Sequence, residues 1–410
     1  MPATVIENIG CLATPLGRAA RTGREQGEIR LLKNAYLCCE NGFITAVGEG
    51  KAPAADRRID AHGKLVTPGL VDPHTHLVFG GWRQHELAMK LKGVTYLEIL
   101  AAGGGILSTV KKTRAASEEE LADKAERELH KMLRLGVTTC ECKSGYGLST
   151  EEELKMLRVV RQLQGRQPVE LVSTFMAAHA LPPEFASDRE WYIRLIVDEM
   201  LPRVAADGSA EFCDVFCETG VFTPEECRRI LVAAQKLGLG AKCHSDEIDP
   251  IGGTEMAGSI GAVSCEHLIR CQDSGIEAMQ AGGTVACLLP ATSFYLGASF
   301  APARRMIDAG VPVAFGSDFN PGSCPCSNLP LAMNIGCYRY RMTPEECLTA
   351  VTLNAAAALR RADRLGSLEV GKQADVLVWD APDLEYVFYR FGDSLADTVI
   401  RNGAVVYTQN

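Results

Sequence analysis

Four segments of the chain share one design, in which a helical stretch stops at glycine and runs directly into a short apolar strand. They are Leu135-Gly-Val-Thr-Thr-Cys, Leu237-Gly-Leu-Gly-Ala-Lys-Cys, Ala281-Gly-Gly-Thr-Val-Ala-Cys and Ala309-Gly-Val-Pro-Val-Ala-Phe. Glycine closes a helix by taking the left-handed conformation. Near-continuous apolar strands are those buried on both faces of a parallel sheet. Helix starts are marked as regularly. Ser117 with Glu120, Thr150 with Glu153, Thr223 with Glu226 and Thr343 with Glu346 have capping-box spacing, the last two with Pro at the first helical position. Strands and crossover helices in series dictate an α/β fold. Between 66 and 320 there are about eight such units, counting a weak strand at 169–178. Roughly 250 residues for eight units is the size of a closed (β/α)8 TIM-like barrel. A doubly wound sheet wants a glycine-rich phosphate loop after its first strand. The cluster Gly103-Gly-Gly105 follows no strand and reads as a loop near the barrel mouth.

The two ends of the chain read differently. Asn41-Gly42 and Asn402-Gly403 are hairpin turns between short apolar runs, residues 10–27 read as a loop, and Ala374–Asp380 and Glu385–Phe391 read as strands. Neither end suffices for a core, so 1–65 and 355–410 are expected to form one small composite β-domain beside a barrel of 66–354. The 410 residues carry a formal charge of −9, which argues against nucleic acid and acidic membrane surfaces as partners. The start lacks the regions of a signal peptide, and no apolar run reaches membrane-spanning length. The expected location is cytoplasmic. There the 16 cysteines, none in a Cys-x-x-Cys pair, stay reduced and act as small buried hydrophobes. Cys140 with Cys142, or Cys324 with Cys326, could ligate a metal, but structural thiols are the favoured reading.

In such a barrel the chemistry sits where strands end, and those positions are rich in donors. The first strand ends Asp72-Pro-His74-Thr-His76, two imidazoles at i and i+2 on one face. Later strand ends supply Glu141 and Tyr146, His179, Glu218, His244 and Glu247, His267, and Asp318 with Asn320. Five of the eight histidines fall at these ends; His62, His85 and His130 do not. His74, His76, His244 and Asp318 form a three-imidazole, one-carboxylate set that leaves a coordination position for water. A structural zinc site would use thiolates. Glu247, three residues past His244, is placed to take a proton from that water and pass it to a leaving nitrogen. His267 is placed to hydrogen-bond the attacking oxygen or the polarised carbonyl.

The run Pro68-Gly-Leu-Val-Asp-Pro-His74-Thr-His76 resembles the signature of the amidohydrolase superfamily. Segments across the barrel are similar, more narrowly, to the branch that opens the ring of 4-imidazolone-5-propanoate in histidine degradation. They are Gly93–Ile99, Gly103–Arg114, Glu141–Leu148, Ala178–Glu184, His244–Glu247 and Asp318–Ser323. The resemblance implies hydrolysis of the ring amide to N-formimino-L-glutamate, with one zinc or iron(II) ion on His74, His76, His244 and Asp318. It implies Glu247, His267 and Asp318 in the chemistry. Arg83, Tyr96, Tyr146, His179, Glu247, Asn320, Gly322 and Ser323 would surround a small carboxylate-bearing substrate. Two-metal relatives carry a bridging lysine at the end of the fourth strand, where this chain has Phe216-Cys-Glu218, so one ion is expected. The resemblance also implies a homodimer, with no interface assigned.

The chemistry agrees with this. A flexible propanoate suits the guanidinium fork of Arg83. The loop Arg83-Gln-His-Glu-Leu-Ala-Met-Lys is less typical of the branch, having Gln and Met where basic residues are expected. The rival in the same superfamily is a nucleobase deaminase of the cytosine or guanine type, which would leave Arg83 without a carboxylate to hold. A catalytically inert scaffold is the rival of another class, and it has no use for a ligand set and a proton shuttle together.

Overall fold

The computed structural model describes residues 3–94, 98 and 103–409. Two eight-stranded sheets organise it. The first contains β1 (Thr4–Pro15), β2 (Ile29–Glu40), β3 (Phe43–Glu49), β4 (Arg57–Asp60) and β5 (Leu65–Pro68). The second opens with β6 (Leu70–Asp72) and continues through β7 (Val137–Lys143), β8 (Glu170–Ala178), β9 (Phe212–Cys217), β10 (Gly240–Ser245), β11 (Ser264–His267), β12 (Val285–Leu288) and β13 (Val313–Phe315). The chain then returns to the first sheet with β14 (Val376–Trp379), β15 (Ala396–Arg401) and β16 (Ala404–Thr408).

The second sheet is parallel throughout and runs in sequence order from β6 to β13, as the helix–glycine–strand units require. Its edges meet just beyond the ends of β6 and β13. There the Asp318 N–H donates to the His74 carbonyl (3.0 Å) and the His76 N–H to the Phe319 carbonyl (2.9 Å). The Ser317 N–H adds a bond to Asp72 Oδ1 (3.0 Å). These bonds close the (β/α)8 barrel. The opposite end is plugged by the stretch from Leu353 to Leu365, whose apolar side chains pack on Val71, Val172, Phe212, Val285 and Ala314.

The first sheet joins both termini, because β14 lies antiparallel on β5, with Val376 opposite Pro68 and Trp379 opposite Leu65. Ile6, Leu12, Leu37, Val66, Val376 and Ile400 form its core. Both hairpin turns take the left-handed geometry expected of Asn-Gly, with φ of 51° and 85° at Asn41 and Gly42 and of 50° and 73° at Asn402 and Gly403.

Several local expectations are corrected. The apolar run 65–71 is two strands in two sheets, and the chain changes sheet at Gly69, where a Cβ would meet Thr138 at 2.5 Å. Residues 10–15 continue β1 because Cys11, Leu12 and Ala13 are buried there. Leu384–Tyr389 is a helix, since Asp383 caps it by accepting the Tyr386 N–H at 3.0 Å. Gly103 and Gly104 lie in a loop, but Gly105 already opens the helix Gly105–Ala115, and its N–H donates to Glu86 (2.7 Å). Capping boxes form at Ser117, Thr223 and Thr343 but not at Thr150. Glu153 turns instead to the N–H groups of Gly145 (3.0 Å), Gly147 (2.8 Å) and Leu148 (2.7 Å), fixing the loop that carries Tyr146.

Barrel and terminal segments are tied by Glu170 at the start of β8. It is buried and meets Arg361 (3.3 Å), Arg401 (3.4 Å) and Arg364. Burial pushes its carboxyl up, but the three guanidinium groups outweigh this and hold it below the ordinary range. Glu170→Gln is expected to cost about 3 kcal/mol at neutral pH, the low end for breaking a buried ion pair. A carboxyl lowered in the folded state stabilises above its unfolded pKa and loses that contribution as pH falls through the folded value. Urea unfolding of both proteins should therefore show the difference at pH 7 and its disappearance in acid.

Candidate metal centre and active site

The donors gather at the mouth end of the barrel, at the seam. His74 and His76 follow β6, His244 lies near the end of β10, and Asp318 follows β13. Asp318 Oδ1 lies 3.4 Å from His74 Nε2 and 3.7 Å from His76 Nε2, while His76 Nε2 and His244 Nε2 are 3.3 Å apart. All four residues are at most 3% exposed. Burial first, then the crowd of neighbouring imidazoles and Lys143, holds the three histidines neutral, well below their usual range. Neutral imidazoles are the metal-binding form.

Two of the other ring nitrogens face carboxylates, while His76 Nδ1 has no hydrogen-bond partner among the described residues. His74 Nδ1 meets Glu266 Oε2, and His244 Nδ1 lies 3.0 Å from Asp214 Oδ2. Carboxylates behind ligating histidines fix the tautomer and aim Nε2 at the ion. His74 Nε2 is buried and has no hydrogen-bond partner among the described residues. Asp318 keeps Oδ1 toward the imidazoles because Thr292 Oγ1 donates to its Oδ2 (2.7 Å). An orphaned nitrogen and a free carboxylate oxygen facing one point are what a divalent cation would satisfy, so the residues fit one. His74, His76 and Asp318 offer atoms within 4.8 Å of one another, and so do His74, His244 and His267. The group His74, Glu266 and Cys287 is poorer, since Glu266 is engaged by Ser264 and Lys242, and burial drives the Cys287 thiol well above its usual range.

Backbone strain collects at the same level. Asp246, His267 and Asp318 have φ of 53°, 70° and 52°, a left-handed conformation that non-glycine residues hold only where surrounding contacts impose it. Glu247 is placed by Glu218, which accepts the N–H groups of Ile248 (2.9 Å) and Asp249 (3.0 Å). Burial and the charge of Glu218 raise the Glu247 carboxyl to about 7. His267 Nδ1 lies 3.7 Å from Glu247 Oε1, and burial lowers its pKa.

A cavity of about 1080 Å³ opens over these groups. His76, His244, Asp318, Glu247, His267, Arg83, Tyr146, His179, Asn320, Gly322 and Ser323 all line it. His74 lies beneath, and Tyr96 falls outside the described residues. The His179 ring stacks on His76 with centroids 4.8 Å apart, and burial lowers its pKa to about 4. Arg83 lies so close to Gly322 that a Cβ there would meet Nη2 at 0.9 Å. Asn320 has less to offer a ligand than its position suggests. Its Nδ2 donates to the Asp318 carbonyl and Ser323 Oγ (both 2.8 Å), and its Oδ1 accepts from Gly322 (2.8 Å) and Ser323 (2.7 Å). It builds the loop that presents Gly322 and Ser323.

Sequence reasoning placed Glu141 at a strand end without giving it a role, and passed over Lys143, Asp214, Lys242 and Glu266 as parts of the site. All five are fully buried, and they link the anchored histidines inside the barrel. The signal was present. Glu141 with Lys143, and Lys242 with His244, sit at i and i+2 in otherwise apolar strands, which places charge on the inward face.

A closed eight-stranded barrel with this donor set at its mouth is the architecture of a metal-dependent hydrolase. The model of the Amidohydrolase family matches residues 65–406, and the chain belongs to that family, its divalent-metal cofactor included. Its curated relatives are more specific. Imidazolonepropionase of Alkaliphilus metalliredigens is 50% identical over 410 residues, covering 98% of this chain and 97% of that protein. Imidazolonepropionase of Geobacillus kaustophilus is 49% identical over 405 residues, covering 97% and 94%. Among solved structures, zinc-complexed atrazine chlorohydrolase from Arthrobacter aurescens superposes with a TM-score of 0.76 at 19% identity, covering 99% of this chain and 95% of that one. Guanine deaminase from C. acetobutylicum gives 0.72 at 15%, covering 99% and 100%. At such identities the likeness concerns the fold.

Proposed function

We propose that the chain hydrolyses the ring amide C–N bond of 4-imidazolone-5-propanoate to N-formimino-L-glutamate, the imidazolonepropionase step of histidine degradation. The observation that carries this reading is the pairing of a metal-type donor set with a cationic fork, Arg83, in one cavity. The relatives named imidazolonepropionase support it across nearly the whole chain. On this reading 66–354 carries the chemistry, and 1–65 with 355–410 frames it.

His74, His76, His244 and Asp318 would hold one divalent ion. Three neutral nitrogens and one oxygen suit zinc or iron(II). When bound, such an ion supplies a nucleophile at neutral pH, lowering the pKa of water from 15.7 to about 7, and polarises a carbonyl. The chain's own residues do the rest. Glu247, with its carboxyl raised to about 7, accepts a proton from the attacking water and delivers it to the departing ring nitrogen. Hydroxyl thus adds to the carbonyl carbon, the C–N bond breaks, and the proton ends on nitrogen. His267, neutral at the working pH, donates a hydrogen bond to the carbonyl oxygen. Arg83 binds the propanoate, and Tyr146, His179, Gly322 and Ser323 enclose the ring and chain, with Asn320 holding its loop in place.

Metal analysis of native protein should return one ion per chain, and His74→Ala or His244→Ala should lose metal and activity together. Two fully occupied ions would contradict the assignment. Glu247→Gln should keep metal and fold while turnover falls by about 10²–10⁴, the range of general acid–base assistance. Near-normal kcat in that variant would move the proton shuttle to His267.

Arg83 separates a propanoate-bearing ring from a nucleobase. Arg83→Ala should cost about 1.5–3 kcal/mol, or roughly 10- to 150-fold in kcat/KM on the full substrate. It should cost little on an analogue with an alkyl group in place of propanoate. Arg83→Lys should recover only part, because an ammonium lacks the bidentate fork. Equal losses on both substrates would reopen the deaminase reading.

A further inference from the structure

Beneath the donor set, the barrel interior holds a continuous line of ion pairs. From His74 it passes to Glu266, whose Oε1 lies 3.4 Å from Lys242 Nζ. Lys242 Nζ lies 2.7 Å from Glu141 Oε1, and Glu141 Oε2 lies 2.8 Å from Lys143 Nζ. Lys143 Nζ lies 2.7 Å from Asp214 Oδ2, and that same oxygen is 3.0 Å from His244 Nδ1. Two donor histidines on strands far apart in sequence are thus joined by five charged side chains, each 0% exposed. Each side is also tied to the backbone beside a donor. Lys242 Nζ donates to the Pro73 carbonyl (3.0 Å), and Thr75 Oγ1 donates to the Glu141 carbonyl (2.5 Å).

A barrel interior is ordinarily filled by branched apolar side chains. Replacing buried ion pairs by apolar residues of similar volume is often neutral or stabilising, so stability alone gives no reason for this line. It ends on two imidazoles whose orientation matters. We propose that Glu141, Lys143 and Lys242 are positioning residues for the metal centre, acting through Glu266 and Asp214 to hold His74 and His244 at the spacing one ion requires. Glu141 is the centre of the line and touches no donor side chain. Its carboxylate is shared by both lysines and steadied by Thr174 Oγ1 (2.6 Å). The charges also suit a single cation. The line has three carboxylates and two ammonium groups, and with Asp318 it leaves two negative charges in a dry interior, which one divalent ion neutralises.

The inference rests on the donor assignment above and is tested apart from it. Zinc affinity is measured by chelator competition, and donor geometry by the visible spectrum of cobalt-substituted protein. Glu141→Gln keeps the side chain's size, breaks the line at its centre and should weaken zinc binding about tenfold or more, the effect typical of losing a residue behind a ligand. Lys242→Met supplies the decisive sign. Simple attraction predicts tighter binding once a nearby cation is removed, whereas positioning predicts weaker binding and a changed cobalt spectrum. Unchanged affinity in Glu141→Gln, or tighter binding in Lys242→Met, would overturn the proposal. If near-UV circular dichroism shows that Lys242→Met does not fold, Lys143→Met poses the same question from the other side, and the cobalt spectrum of Glu141→Gln, which loss of charge alone would leave unchanged, still decides. Failure of the donor assignment looks different, because His74→Ala would then retain its metal.

Discussion

The structure depends on the closure of the barrel at one seam. β6 and β13 pair with β7 and β12, and the contact between the two edges is made just beyond them, by bonds between Ser317–Phe319 and the stretch Asp72–His76. The same peptides carry His74, His76 and Asp318. Closing the sheet and assembling three of the four donors are therefore one event. Asp318 takes a left-handed backbone, with φ of 52°, so that its N–H reaches His74 while its side chain turns to the imidazoles. A donor set built from backbone pairing is held far more tightly than one carried on loops.

The rest of the barrel is layered around that seam. The end away from the site is dry and apolar, plugged by Leu353, Leu359 and their neighbours. The middle holds the line of buried charge from Glu266 to Asp214, and the mouth holds the imidazoles. Each layer makes the next possible. The plug buries the ion pairs from below, and burial strengthens them, and their carboxylates face Nδ1 of His74 and of His244. Burial then keeps the histidines neutral. Glu247 lines the cavity above the same stack, where burial and the neighbouring charge of Glu218 raise its carboxyl to about 7.

Much of this was legible in the sequence because it depends on local rules. Glycine stops, three of the capping boxes and both Asn-Gly turns act over a few residues, and donor histidines at strand ends follow from strand period and barrel polarity. What escaped depends on distant partners. Glu153 stands where a capping box would use it, yet three N–H groups of the preceding loop hold it more strongly. Tyr386 and Phe388 favour a strand by type, and the Asp383 cap overrides them. Lys143 and Asp214 lie on different strands, and nothing local to either reveals the other. Asn320 lies beside the cavity, but only the structure shows its amide spent on its own loop.

The fold is shared with an atrazine chlorohydrolase and a guanine deaminase at under 20% identity, so what separates activities must lie in the walls and not in the scaffold. In this chain one part of the cavity wall is made by two loops that meet at Arg83 and Gly322. The guanidinium fills the space a side chain at 322 would take, and Lys90 donates to the Gly322 carbonyl at 2.9 Å. Glycine at 322 is therefore a condition for the cation, and Asn320, by holding the Gly322 and Ser323 amides, is a condition for the glycine's placement. The two loops fit by complementarity, one bearing the charge and the other leaving room for it, and the cation so placed lines the same cavity as the donor set.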